Sequence, residues 1–81
     1  MRTVDQNFNL AANLKYLRKR SGLTQSAFSN LMGIPKGTYG SFECYGEGIG
    51  PERLNRIYDF YKIDESTALM NPYEFIKKVE A

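Results

Sequence analysis

Histidine and tryptophan are absent from this 81-residue chain, and cysteine occurs once. Without histidine, the commonest general base and metal ligand is missing, so hydrolytic and metal-centred chemistry lose their usual carriers. The single Cys44 cannot form an internal disulfide, which fits a reducing compartment. A buried or half-buried structural thiol is the expectation for it. No apolar run approaches the roughly 18 residues that a membrane span requires, and no signal-peptide pattern is visible. These gaps lead to a set of expected absences: no catalytic residues, no cofactor, no metal, no small-molecule substrate and no membrane partner. Cytoplasmic localisation is expected with them.

Acidic residues are missing over a long stretch. From Gln6 to Phe42 there is no Asp or Glu, while Lys15, Arg18, Lys19, Arg20 and Lys36 give that segment a charge of +5. From Ile57 onward three lysines oppose five carboxylates, for −2. The overall charge of +2 therefore hides a basic half and a mildly acidic half. A one-sided positive field of this kind suits a polyanion, although a solvated helix face reads the same way.

No segment alternates with period two, and helical spacing recurs throughout. Residues 1–8 are polar and unpatterned, predicting a flexible N-terminal arm ahead of a single domain over 9–81. Leu10, Leu14 and Leu17 then mark one helix, closed at Ser21-Gly22. Thr24 is placed to cap a second helix carrying Phe28 and Met32, and Gly33 ends it by taking a left-handed turn. Ile34-Pro35 leads into a third, with Tyr39 and Phe42 inward. Three glycines within residues 44–50 demand a loop. Gly50-Pro51 opens a fourth helix bearing Leu54, Ile57, Tyr58 and Tyr61. Asp64 caps a short fifth, and Asn71-Pro72-Tyr73-Glu74 reads as a capping box for a last helix over 72–80. The fold class expected is all-α, with five to six helices and one small core.

The residues Leu23-Thr24-Gln25, Phe28, Gly33-Ile34, Tyr39, Phe42-Glu43, Leu54, Ile57 and Ile63 stand at fixed offsets. An apolar residue lies three beyond the Gln, a Gly five further on, and Leu54 eleven after Glu43. In this the chain resembles the helix-turn-helix DNA-binding family of phage lambda repressor and Cro proteins, over residues 10–70. Ser29 stands where that family prefers Ala, and is equally small. The resemblance implies a compact lambda-repressor-like domain, its helix-turn-helix at helices 2 and 3. It implies a transcriptional regulator that inserts helix 3 into the major groove of a double-stranded DNA operator, about 12 Å wide. A bacterial or phage-encoded protein on the nucleoid is implied as well.

By the same resemblance Gln25 is expected to meet a phosphate, and Lys36, Gly37, Thr38, Gly40 and Ser41 form the reading face. Lys36 has the reach for a guanine edge or a phosphate. Arg18 and Glu43 match a structural salt bridge of the family, worth at most about 1 kcal/mol if exposed. Gly37 and Gly40 cannot reach a base, so direct readout is expected to be sparse. The loop after helix 3 lacks cations. Its glycine N–H groups remain candidates for a phosphate, with Arg53 or Arg56 supplying charge. So few cations predict a homodimer, and surplus apolar residues late in the chain point to Tyr73, Phe75, Ile76 and Val79 as its interface. The opposing possibility is that helix 6 folds back on its own core. The alternative function is a protein-interaction module, antitoxin-like or adaptor, on the same fold.

Overall fold

The computed structural model describes residues 2–81. Helix α1 runs from Val4 to Arg20, so residues 4–8 are helix rather than the expected arm; residue 1 lies outside the described residues. The reason is a capping box. The Gln6 N–H donates to Thr3 Oγ1 at 3.1 Å, and the Thr3 N–H donates to Gln6 Oε1 at 2.9 Å. Two orphan donors are thereby satisfied without burying apolar surface, and Val4 and Phe8 stay exposed. Asp5 in the first turn and Arg18, Lys19 and Arg20 in the last complement the helix dipole.

Five shorter helices follow: α2 (Gln25–Met32), α3 (Lys36–Tyr45), α4 (Pro51–Tyr61), α5 (Glu65–Ala68) and α6 (Pro72–Glu80). Thr24 Oγ1 accepts from the Ala27 N–H at 3.1 Å to start α2. Gly33, at φ +70°, ends α2 where a side chain would be strained. Gly37 and Gly40 do not interrupt α3, which runs unbroken to Tyr45. Asp64 caps α5 by accepting from the Thr67 N–H at 2.8 Å. At α6 only half of the expected box forms: Asn71 Oδ1 accepts from the Tyr73 N–H at 2.9 Å, with no return bond from Glu74.

Phe28 is the hub of the core, in contact with the rings of Tyr39 (5.2 Å between centroids), Tyr61 (5.8 Å) and Phe60 (5.9 Å). Leu10, Leu14 and Leu17 of α1, Phe42 of α3, Leu54 and Ile57 of α4, and Phe75 of α6 belong to the same core. The buried side chain of Asn13 ties the two ends of the chain together. Its Nδ2 donates to the carbonyls of Ala68 (2.9 Å) and Met70 (2.8 Å). Two backbone acceptors at the end of α5 are satisfied by one side chain from α1, a link that no periodicity announces. No helix of the described residues is long and apolar enough to cross a membrane.

Candidate nucleic-acid interface

Residues 33–35 turn the chain from α2 into α3, and α3 is held from behind by Tyr39 and Phe42, both fully buried. Its opposite side carries Lys36, Gly37 and Ser41 exposed, with Thr38 and Gly40 half-buried at the edges. Cys44 extends this strip, seven residues beyond Gly37 and three beyond Ser41. The structure corrects the expectation of a buried thiol: Cys44 is exposed. The exposed side of α3 bears no carboxylate, because the one acid of the helix, Glu43, is turned inward.

Glu43 anchors a polar cluster between α1, α2 and α3. Its carboxylate takes two bonds from Arg18, Nε to Oε2 at 2.6 Å and Nη2 to Oε1 at 3.1 Å. Arg18 Nη1 donates further to the Leu23 carbonyl at 2.6 Å. This is not the surface pair that a ceiling of about 1 kcal/mol would describe. Arg18 is 6% exposed and Glu43 7%, so the pair is desolvated, bidentate and hydrogen-bonded on both partners. Removing either partner of such a pair costs about 3–5 kcal/mol, because a buried charge is left alone. Burial acts to raise the Glu43 carboxyl, but hydrogen bonding from Arg18 and Gln25, with the Tyr39 hydroxyl nearby, outweighs it and holds the group below its usual range. The Tyr39 hydroxyl lies close enough to assist, yet has no partner at normal hydrogen-bond geometry. Burial first, and then the adjacent Glu43, push that hydroxyl well above the ordinary tyrosine range.

Gln25, expected to meet a phosphate, also has a partner inside the molecule. Its Nε2 donates to Glu43 Oε1 at 2.9 Å, an orientation that chemistry requires because only the amide nitrogen can donate to a carboxylate. Its Oε1 lies beside Gly40, 3.6 Å from where a Cβ would stand. The side chain thus clamps the start of α2 onto α3, and one amide N–H remains for a ligand.

In the loop after α3, whose glycine N–H groups were candidates for a phosphate, Gly46 is closed off. Gly46 is buried, its N–H donates to the Phe42 carbonyl at 2.7 Å, and its carbonyl accepts from Arg2 Nη2 at 3.3 Å. A Cβ on Gly46 would fall 1.8 Å from the Asn7 carbonyl oxygen. Glu47 accepts from Asn7 Nδ2 at 3.4 Å, so the loop is engaged with α1.

Among the basic residues of the first half, Arg18 is used internally and Arg20 pairs with Glu80. Lys15, Lys19 and Lys36 are exposed without an ion pair among the described residues. Of the four residues expected in a dimer seam, Phe75 is 0% exposed and belongs to the molecule's own core, with Val79 packed at its edge. The Arg20–Glu80 pair and a bond from Lys78 Nζ to Thr67 Oγ1 (3.1 Å) hold α6 against the body. Tyr73 (68% exposed) and Ile76 (37%) alone face outward. Comparisons with models of protein families, with characterised proteins and with solved structures find no match.

Proposed function

We propose that this protein is a DNA-binding transcriptional regulator of the repressor or Cro type, working as a homodimer through a helix-turn-helix formed by α2 and α3. The observation that carries the reading is α3 itself. The helix is locked from behind by Tyr39, Phe42 and Glu43, and its exposed side holds Lys36, small residues and hydroxyls with no carboxylate. A rigid helix with a slim, acid-free side suits entry into a groove lined by phosphates. Lys36, Thr38 and Ser41 supply the polar reach, and Gly37 and Gly40 allow the helix backbone to approach closely. Sequence preference then rests partly on DNA shape. Gln25 acts mainly by fixing α2 against α3, and its spare N–H is free for a phosphate. Two protomers would read half-sites about 34–36 Å apart.

The exposed apolar side chains of Leu31, Tyr45 and Tyr73 favour a second reading, a protein-interaction module on the same fold. One experiment separates the two. Duplexes enriched by the protein from a random pool are titrated over a salt series. About six phosphate contacts give a log–log slope near −5, and Lys36→Ala weakens binding with an unchanged melting point. Failure to enrich any duplex, or affinity indifferent to salt, rejects the DNA reading in favour of the second.

A further inference from the structure

The loop after α3 offers no cation to a phosphate: it carries Glu47, and Gly46 is closed off by the backbone of Asn7. A positive group stands instead at the other end of α3. A Cβ placed on Gly33, in the turn between α2 and α3, would lie 3.9 Å from Arg56 Nη1. Arg56 is exposed, and its guanidinium has no hydrogen bond or ion pair among the described residues. Its own helix presents Glu52 and Asp59 at i−4 and i+3, spacings at which ion pairs form readily. Arg56 pairs with neither and lies against the turn. The segments flanking that turn, from Gln25 to Phe42, contain no carboxylate to neutralise it, and Lys36 follows three residues after Gly33.

A planar, permanently charged fork with free donors, lying beside an acid-free turn, has the chemistry to take a phosphate oxygen pair. We infer that Arg56 is a phosphate-contact residue, through which α4 grips the DNA backbone beside the N-terminal end of α3. The inference rests on the DNA-binding reading above and adds to it a contact from outside the two-helix unit. It supplies a backbone anchor at the end of α3 opposite the cation-free loop.

The test uses the full chain and a fluorescein-labelled mixed-sequence duplex, with anisotropy read between about 50 and 200 mM salt, where phosphate contacts dominate. Wild type, Arg56→Gln and Lys36→Gln are compared. Arg56→Gln is expected to make the salt slope shallower by about 0.9 per protomer and to weaken binding roughly eightfold at 100 mM, the counterion-release value of one contact. Both variants keep the wild-type melting point. If wild type binds with a steep slope, Lys36→Gln reduces it and Arg56→Gln matches wild type, the Arg56 assignment is overturned while the DNA reading stands. If wild type itself shows no salt-dependent binding, both fall.

Discussion

Replacing Gly40 by alanine should make the protein more stable. Gly40 lies inside α3 with ordinary helical backbone, since the positive-φ glycines are 22, 33, 46 and 48. An added Cβ would meet nothing nearer than Gln25 Oε1 at 3.6 Å, an ordinary contact. No strain opposes the change, and alanine removes backbone freedom from the unfolded chain. The gain is about 0.4–1 kcal/mol. For a domain of this size each kcal/mol moves the midpoint by about 4–8 °C, so Gly40→Ala should melt about 2–8 °C higher. Thermal unfolding followed by far-UV circular dichroism reads this directly. Gly37→Ala, with open space around its Cβ, acts in the same direction but more weakly, because it sits in the first turn. Destabilisation by Gly40→Ala would refute the reasoning, since it would mean that the interior of the fold requires the glycine. Under the proposed function the same methyl groups hinder close approach to DNA, so stability should rise as affinity falls.

Glu43→Ala strands the Arg18 guanidinium and should cost about 3–5 kcal/mol in urea unfolding, whereas Arg18→Met with Glu43→Leu recovers most of that loss. Acid weakens the wild type in a defined window. The Glu43 carboxyl titrates lower folded than its reference value of 4.5, so its contribution is complete above that pH and disappears as pH falls through the folded value. The urea midpoint of Glu43→Gln should vary less over that window than that of wild type. At the alkaline end, burial first and then Glu65 push the Tyr58 hydroxyl up to about 12. Its contribution is intact below about pH 10 and is lost as pH climbs toward 12, a decline that Tyr58→Phe should lessen. For the proposed dimer, Ile76→Glu should give a monomer in sedimentation velocity at unchanged helicity. A wild-type protein that sediments as a monomer with and without DNA rules the dimer out.

The reading of α2 and α3 from sequence rested on signals that are local: a hydroxyl cap at Thr24, an obligatory left-handed glycine at Gly33, and apolar residues at helical spacing. The all-helical class followed from the same kind of signal. The start of α1 was harder to see because Val4 and Phe8 stay largely exposed, so apolar periodicity is silent there. Only the Thr3…Gln6 box marks the helix, and polar pairs of that sort are common in loops. Asn13 and the inward amide of Gln25 depend on partners 55 and 18 residues away, beyond the reach of any local pattern. The exposure of Cys44 is one residue's rotation from buried Glu43, so it turns on which face of α3 the Arg18 pair selects. Phe75 and Ile76 are adjacent and equally apolar. Their opposite fates are set by how α6 lies on the body, with Phe75 turned into the core and Ile76 away from it.

The contact between Asn7 and Gly46 joins the beginning of the chain to its middle at a point where backbone meets backbone. The first two turns of α1 carry exposed Val4 and Phe8 and are fastened there, through Arg2 and Asn7, rather than by a buried side chain. The last three turns are fastened by Leu10, Leu14, Leu17 and Asn13. One helix thus contains two regimes of local opening, with a lightly latched front and a rear that opens only with the whole domain. Amide exchange along α1 would rise in protection from front to rear.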